Sequence, residues 1–378
     1  MFRFPIATSV LTNAIDQRVF PGAAFGVLQG GDRLAIDSVG RFTYQPDSPR
    51  VLPETIFDMA SVSKAMATTA MAMLLWERGL LNLDEPVGLR VPGFLALGSD
   101  SEAGSFFGLK QKITPRMLLA HCSGLPAYAP LYKTCRSASE LFDACLHMQL
   151  EAVPGTQAVY SDLGFILLGH LLESVAGERL DSFCRREVFA PLRMNATQYC
   201  PPSELKPFIP PTADAENFRH RVLQGEVHDG NCWMLGGVSG HAGVFSNVAD
   251  VLSLADCLLH RGRNVFQAGT VSMFAGRQRM PPNSGWALGW DTPTEPSSSG
   301  KFFSAHSIGH LGYTGTSLWI DFDKDLAAVL LTNRTYPGNR DTMAPEKIKN
   351  VRPRFHDALM QELGWGTAAD PSPATGRE

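Results

Sequence analysis

The stretch Phe57-Asp58-Met59-Ala60-Ser61-Val62-Ser63-Lys64 decides how the rest of the sequence is interpreted. It opens an apolar helix that is predicted to run from Ser61 to about Arg78 and to be closed by Gly79. Residues three apart on a helix lie on one face, so the amine of Lys64 can touch the hydroxyl of Ser61. The positive end of the helix also favours negative charge developing at the serine. The stretch therefore predicts an activated serine nucleophile.

The Ser-x-x-Lys spacing occurs twice more, at Ser203–Lys206 and at Ser298–Lys301. The first lies among prolines and the second in a run of serine and glycine, so both are predicted to be loops without a fixed geometry. Taken alone, the spacing at Ser61 more often marks a helix cap followed by a solvated lysine. Other motifs must decide between the two interpretations.

Strand patterns lie towards both ends of the chain, and helical patterns predominate between them. Strands are predicted at residues 23–29, 33–39, 243–246, 286–290, 316–322 and 326–332. Helices are predicted at residues 6–18, 115–120, 138–148, 163–176 and about 346–363. This distribution predicts an α+β fold, with one antiparallel β-sheet built from both termini, flanked by helices and carrying an inserted all-helical lobe.

A chain of 378 residues suits two packed subdomains. Residues 1–81 and 241–365 are predicted to form the sheet subdomain, and residues 82–240 the mainly helical one. The final residues, 366–378, are predicted to be a disordered tail.

The composition excludes several classes of function. With 44% apolar residues, 19% charged residues and a net charge of -4, the chain has no electrostatic preference for nucleic acid. No apolar stretch is long enough to span a bilayer, and polar residues from Asn13 onward interrupt any signal-peptide core. We therefore expect a cytoplasmic protein that binds neither nucleic acid nor membrane.

The cysteines indicate a reducing compartment and no metal site. They are odd in number and scattered, at positions 122, 135, 145, 184, 200, 232 and 257. Reduced thiols are the expected state of such a set. The sequence has neither a Cys-x-x-Cys nor a His-Glu-x-x-His pattern, so no zinc site is predicted.

Two further motifs carry side chains suited to catalysis. Tyr160-Ser161-Asp162 follows the turn signal Pro154-Gly155 and immediately precedes an apolar helix, where its side chains can face a cleft. His310-Leu311-Gly312 precedes the predicted strand pair near the C-terminus and is expected on an edge strand that lines the same cleft.

These motifs resemble the class C β-lactamase superfamily, which includes penicillin-binding peptidases and the family VIII esterases. The resemblance rests on 57–64, on Leu118-Leu119-Ala120-His121-Cys122-Ser123-Gly124-Leu125-Pro126, on 160–162 and on Gly309-His310-Leu311-Gly312-Tyr313-Thr314-Gly315-Thr316. They occur in the same order, within a similarity that runs from about residue 5 to 363. The resemblance implies an antiparallel sheet flanked by helices, an all-helical lobe, and an active site between the two.

The resemblance also implies roles for individual residues. Ser61 would be the nucleophile, Lys64 its activating neighbour, and Tyr160 the residue that shuttles protons to the leaving group. The backbone N–H groups of Ser61 and Tyr313, which follows Gly312 of the motif, would form the oxyanion hole. Which of Lys64 and Tyr160 is the general base stays open, because strongly coupled groups titrate as a unit.

Two departures from the family pattern bear on the substrate. His310 stands where β-lactamases have lysine, and histidine is mostly uncharged near neutral pH. Asp162 stands where many relatives have asparagine, so it adds a negative charge near Lys64. Both changes argue against an efficient β-lactamase.

The glycine-rich segment 225–243 has three interpretations. Glycines in tight turns are the plainest, a phosphate-cradling loop lacks the required Gly-Lys pattern, and close approach of backbone to substrate is the third. The segment resembles a cytosolic branch of the superfamily that includes muropeptide amidases. His228, Asp229 and His241 are therefore weaker candidates for site residues.

The sequence thus predicts a serine hydrolase that forms an acyl-enzyme on Ser61 and cleaves an ester or amide bond without a cofactor. Esterase-like activity is the expected minimum, and a muropeptide amidase acting on a peptidoglycan fragment is the narrower hypothesis. A true β-lactamase, a penicillin-binding peptidase and a catalytically inactive binding homologue are the alternatives. A lipase-like hydrolase is excluded, because no serine has the Gly-x-Ser-x-Gly context. The oligomeric state stays open.

Overall fold

The structure is a computed structural model that describes residues 2–95, 108–338 and 344–366. Its strands are β1 (Gly22–Gln29), β2 (Asp32–Gly40), β3 (Phe57–Asp58), β4 (Gln198–Tyr199), β5 (Val244–Ser246), β6 (Ser307–Leu311), β7 (Ser317–Asp321) and β8 (Leu326–Thr332). Five of them form an antiparallel sheet in the order β2-β1-β8-β7-β6. The first two strands of the chain therefore pair with the last three, which leaves β6 at an edge.

The α-helices that cover this sheet and build the rest of the molecule are α1 (Pro5–Asp16), α2 (Ala70–Glu77), α3 (Pro115–Leu119), α4 (Ala138–Leu146), α5 (Asp162–Ala176), α6 (Leu180–Cys184), α7 (Gly230–Met234), α8 (Val248–Leu259), α9 (Ala268–Ala275) and α10 (Ala344–Glu362). Helices α1 and α10 pack on one face of the sheet, where the rings of Phe25 and Phe355 lie 5.5 Å apart. Helix α8 packs on the other face, so close to Gly26 that a Cβ there would clash with Val248. Helices thus cover both faces of the sheet, and the central strands are buried, whereas the edge strand β2 is partly exposed.

Strand β1 shows how the sequence produces this layered packing. Successive side chains of a strand point to opposite faces. Phe25 and Val27 therefore join the core beneath α1 and α10, whereas Ala24 and Leu28 join the core beneath α8. Because both sides are covered, the strand is apolar along almost its whole length.

The core beneath α8 continues into the helical region. Helix α5 is the longest helix described there, and its residues Phe165, Leu168 and Leu172 pack with α2 and with residues near α3. It begins at the cap Ser161, whose Oγ accepts a hydrogen bond from the Gly164 N–H at 3.0 Å. The N-terminal end of this central helix therefore lies in a fixed position relative to α2.

The predicted fold class is confirmed: an antiparallel sheet flanked by helices, together with a helical region inserted in the sequence. The expectation of a single sheet is wrong, because β3, β5 and β4 form a second, three-stranded sheet. Strand β4 also lies inside the region predicted to be all-helical. These strands have two or three residues each, too few for an alternating pattern to reveal them.

Three local predictions are corrected as well. The helix predicted from Ser61 begins at Val62 and is not a regular α-helix, because a π-helical segment, Lys64–Thr69, leads into α2. Residues 286–290 form no strand but a turn, in which Ala287 N–H donates to the Trp290 carbonyl and Gly289 has φ +78°. Ser203–Phe208 is a 3-10 helix rather than an irregular loop.

Further predictions concern the subdomains, the cysteines and membrane spanning. The subdomain boundaries stay predictions, and the predicted tail, apart from Gly366, lies outside the described residues. Each of the seven cysteines has a free thiol. None of the helices among the described residues is both long and apolar enough to cross a membrane.

Candidate active site

A tight turn between β3 and the π-helical segment carries Ser61. Ala60 has φ +47°, a left-handed conformation that non-glycine residues seldom adopt. Its N–H donates to Asp58 Oδ1 at 2.8 Å, and the Ser63 hydroxyl accepts from the Val244 N–H at 3.0 Å. The turn that presents Ser61 is therefore held by side chains on both sides of it.

Lys64 is completely buried and has a hydrogen-bond acceptor for each of the three protons of an ammonium group. Its Nζ lies 3.0 Å from Ser61 Oγ, 2.6 Å from Asp162 Oδ1 and 2.9 Å from the His241 carbonyl oxygen. Burial lowers the pKa of Lys64, and the carboxylate of Asp162 opposes that shift. The sequence interpretation in which Lys64 is a solvated residue is thus excluded.

Tyr160 lies directly before the cap of α5, and its ring is packed against Lys64, with 4.9 Å between Nζ and the ring centroid. Its hydroxyl is buried and makes no hydrogen bond of ordinary geometry to the described residues. Burial, reinforced by the negative charge of Asp162, raises the pKa of Tyr160 well above its usual value. The phenol is therefore protonated throughout the physiological range of pH.

His121 lies within one of the motifs that resemble the family, and the sequence predicts no role for it. The structure places its ring 4.6 Å from that of Tyr160 and 4.4 Å from that of Trp286. Its Nδ1 accepts a hydrogen bond from the Ser161 N–H at 3.1 Å. Burial, with a smaller effect from the charge of Lys64, lowers the pKa of His121 well below the usual value. A neutral imidazole therefore packs against the ring of Tyr160.

His310 lies on the edge strand β6, as predicted, and is 2% exposed. Its Nδ1–H donates to the Leu311 carbonyl at 2.9 Å, while Nε2 is buried without a partner among the described residues. Burial, together with the charge of Lys64, lowers the pKa of His310 to about 3. The group that replaces the β-lactamase lysine is therefore uncharged at neutral pH.

The turn after β6 is fastened to the segment that carries Ser61. Thr314 Oγ1 donates to the Asp58 carbonyl at 2.7 Å, and Thr316 Oγ1 donates to the Met59 carbonyl at 3.0 Å. Gly312 packs so closely here that a Cβ would lie 2.5 Å from the Met59 carbonyl oxygen and clash with Thr316 Oγ1. The backbone around Tyr313 is thereby held next to that of Ser61.

Tyr313 itself is 46% exposed, so its ring faces solvent at the mouth of the site. The guanidinium of Arg334 stacks under this ring at 4.5 Å and donates to the Tyr313 carbonyl at 2.8 Å. The half-buried ring of His228 lies 5.8 Å from it on another side. Tyr313 therefore has a supported backbone and an accessible side chain.

Of the three weaker candidates, Asp229 and His241 contact each other, whereas His228 contacts the segment that leads to Ser61. Asp229 and His241 meet, with 2.7 Å between Asp229 Oδ1 and His241 Nε2, and the second imidazole nitrogen lies 2.8 Å from Ser239 Oγ. Although burial opposes it, the adjacent His241 holds the pKa of Asp229 below its usual value. His241 reaches Lys64 only through its main-chain carbonyl, and the His228 N–H donates to Asp58 at 2.7 Å. These residues surround the site rather than contact Ser61.

A family model described as Beta-lactamase matches residues 7–352 of the chain. The chain therefore belongs to the Beta-lactamase family, and it is a serine hydrolase of that family. The resemblance read from the sequence motifs is confirmed.

Individual relatives support this placement over nearly the whole length. An N-acetylmuramyl-L-alanine amidase of Bacillus subtilis is 32% identical over 368 residues, covering 88% of this chain and 80% of that protein. The structure of EstCE1, a hydrolase with promiscuous acyltransferase activity, has a TM-score of 0.71 at 22% identity and covers 92% of this chain and 98% of its own. An octameric penicillin-binding protein homologue from Pyrococcus abyssi has a TM-score of 0.68 at 20% identity, covering 95% and 77%. The two structures establish the fold alone.

Proposed function

We propose that the protein is an amidase that cleaves N-acetylmuramoyl-peptides through an acyl-enzyme on Ser61, and that it also hydrolyses simple esters. The observation that carries the proposal is the 3.0 Å contact between Ser61 Oγ and the Nζ of the fully buried Lys64. A serine hydroxyl is a poor nucleophile until a base takes its proton, and this amine is the basic group in direct contact with it.

Opposite pKa shifts support different proton-transfer roles for Lys64 and Tyr160. Burial lowers the pKa of Lys64, which increases the fraction of neutral amine that can accept the Ser61 proton. Burial raises the pKa of Tyr160, which keeps a proton on the phenol. We therefore assign Lys64 as the base and Tyr160 as the acid.

The reaction then proceeds in two halves. Neutral Lys64 takes the hydroxyl proton as Ser61 Oγ bonds to the carbonyl carbon, and Tyr160 gives its proton to the leaving amine as the C–N bond breaks. The proton held by Lys64 then returns Tyr160 to its neutral form. In the second half water attacks the acyl-enzyme, loses its proton to the same pair, and Ser61 departs with a proton restored.

The developing oxyanion needs donors that are already in place. The backbone N–H groups of Ser61 and Tyr313 are the proposed donors, and the hydroxyls of Thr314 and Thr316 fasten their two segments together. Donors fixed in this way require no reorganisation during the reaction, and each can stabilise the transition state by roughly 3–4 kcal/mol.

Two considerations support a muropeptide over a β-lactam as the substrate. The Bacillus subtilis relative, named an N-acetylmuramyl-L-alanine amidase, is 32% identical over most of both chains. In addition, His310 places a neutral imidazole where a β-lactamase has a cation, which weakens recognition of a substrate carboxylate.

A side-by-side assay of three substrates tests the proposal. We expect the wild type to hydrolyse an N-acetylmuramoyl-peptide and a p-nitrophenyl ester, and to turn over nitrocefin slowly or not at all. Ser61→Ala should abolish every activity while circular dichroism shows the same folded state. If nitrocefin is hydrolysed far faster than the other two, the protein is a β-lactamase and the interpretation of His310 is wrong. If no substrate is cleaved, the inactive binding homologue is favoured.

A further inference from the structure

Three aromatic side chains form an exposed patch outside the catalytic groups. The rings of Tyr132 and Phe218 lie 4.5 Å apart, and those of Phe218 and Trp233 lie 5.7 Å apart. Phe218 is 42% exposed and Trp233 36% exposed, whereas Tyr132 is half-buried. We call these three residues the aromatic platform. Large aromatic side chains that cluster in solvent mark a binding surface more often than scattered ones do.

Arg219 holds the platform rigidly from below. Its guanidinium lies 5.1 Å from the Phe218 ring centroid and 4.8 Å from that of Trp233, and its side chain is fully buried. It donates to the Val227 carbonyl at 2.7 Å and to the His228 carbonyl at 3.1 Å. A surface that is already ordered loses little entropy when a ligand binds.

A short segment connects the platform to the catalytic groups. At one end, the Asp162 N–H donates to the Ala127 carbonyl at 2.9 Å. At the other end, the Tyr132 N–H donates to Asn231 Oδ1 at 3.0 Å, and Asn231 Nδ2 donates to the Ala129 carbonyl at 2.8 Å. The five Cα–Cα steps from Ala127 to Tyr132 can span at most about 18 Å. The platform is therefore joined through this short segment to the backbone of Asp162, whose carboxylate contacts Lys64.

Helix α7, which carries Trp233, also connects the platform to residues near the site. Helix α7 starts immediately after Asp229, and Tyr132 packs so closely on Gly230 that a Cβ there would lie 2.5 Å from the ring. Beyond Trp233 the surface opens into a cavity of about 320 Å³, which is also lined by Glu226 and by the backbone of residues 236 and 237. Aromatic faces beside polar groups are the usual lining of a pocket for a small polar ligand.

We propose that the aromatic platform binds the sugar ring of the substrate by stacking, an inference that rests on the muropeptide function proposed above. A pyranose presents an apolar face of C–H groups, which packs on an aromatic ring, and an edge of hydroxyl and acetamido groups, which need polar partners. Trp233 and Phe218 supply the rings, and the polar groups are the neighbouring backbone and the remaining acceptor positions of Glu226, whose two oxygens also accept from Arg221 at 2.8 Å. The platform would thus recognise the glycan part of the molecule while Ser61 attacks its amide.

The decisive variants are Trp233→Ala and Phe218→Ala, with Trp365→Ala as a matched control. Trp365 is 44% exposed and has the Lys324 Nζ 5.2 Å from its ring, so the control also removes a half-exposed indole that a cation contacts. A stacking contact typically contributes a factor of about three to ten. We expect each platform variant to lower kcat/KM for the N-acetylmuramoyl-peptide by about that factor more than for the p-nitrophenyl ester. The control should leave both values unchanged.

Binding of the sugar alone tests the inference independently of turnover. Saturation-transfer NMR with N-acetylmuramic acid on Ser61→Ala protein should give a signal that is lost when Trp233→Ala is added and kept when Trp365→Ala is added. If wild-type protein cleaves the muropeptide but the platform variants lose equally on both substrates, the platform inference fails and the amidase function stands. If the wild type does not cleave the muropeptide, the amidase function fails, and the NMR result alone decides the platform.

Absence of sugar binding to the Ser61→Ala protein would overturn the inference whatever the kinetics. A dimer in solution that Trp233→Ala converts to a monomer would overturn it too, because the patch would then be an interface between copies of the chain.

Discussion

Replacing Lys64 by methionine should destabilise the fold in a way that a second substitution, at Asp162, reverses. Methionine fills similar space, but it leaves the Asp162 carboxylate, which lies 2.6 Å from Nζ, without its cation. Removing one partner of a buried ion pair typically costs about 3–5 kcal/mol. Because 19% of the Asp162 side chain remains exposed and water can reach it, we expect the free energy of unfolding to fall by about 2–3 kcal/mol.

Urea unfolding of the wild type, both single variants and the double variant measures this effect. Asp162→Asn removes the carboxylate charge that Lys64→Met leaves unpaired. The double variant Lys64→Met/Asp162→Asn should therefore recover most of the lost free energy of unfolding. The double-mutant cycle should give a coupling energy of about 2 kcal/mol. Ester hydrolysis should fall at least ~100-fold in both methionine variants, since the proton acceptor is gone. Strictly additive losses, or a Lys64→Met protein as stable as the wild type, would refute the reasoning about this pair.

Three further outcomes are expected. Asp162→Asn alone removes a charge that opposes the lowered pKa of Lys64, so the acid limb of the kcat/KM profile for a p-nitrophenyl ester should move to lower pH; an unchanged or higher limb argues against Lys64 as the base. Tyr160→Phe and Lys64→Ala should each lower kcat at least ~100-fold, and in steady-state assays the double variant should lose far less than the product of the two, unless the residues act independently. Gly312→Ala should lower Tm and activity together, because its Cβ clashes with Thr316; a Tm equal to that of the wild type in a thermal melt contradicts that packing.

The large sheet was predictable because its signals are local. Strand β8 coincides with the predicted segment 326–332, and β1, β2 and β7 differ by a residue or so at their ends. The strand predicted at residues 286–290 was wrong. The aromatic and apolar residues there resemble a strand, but Gly289, with φ +78°, forms a turn. The small sheet was not predicted, because its strands are too short to show periodicity.

Spacing along the chain predicted only the contact between Ser61 and Lys64, whereas local motifs pointed to Tyr160 and His310. Ser61 and Lys64 are three residues apart, and the predicted contact between them is present at 3.0 Å. The partners that make Lys64 a buried group are far away in sequence, Asp162 by 98 residues and the His241 carbonyl by 177. A main-chain acceptor such as the latter carries no side-chain signal, and only tertiary folding brings it into place.

His121 and the aromatic platform illustrate a second limit. His121 stood inside a motif already quoted for its resemblance, so the signal was available, but its role depends on stacking with Tyr160 that no spacing reveals. No motif or periodicity in the sequence marks Phe218 and Trp233. Their exposure and their common contact with Arg219 became evident only in three dimensions.

The central claim is that Ser61 carries the acyl group, and covalent labelling tests it most directly. Intact-mass analysis after treatment with a fluorophosphonate probe should show one adduct per chain on the wild type and none on Ser61→Ala, and peptide mapping should place the adduct in the segment that carries Ser61. Two other serines, Ser203 and Ser298, share the Ser-x-x-Lys spacing and serve as internal controls. An adduct that survives Ser61→Ala, or that maps to either of these two serines, would contradict the account.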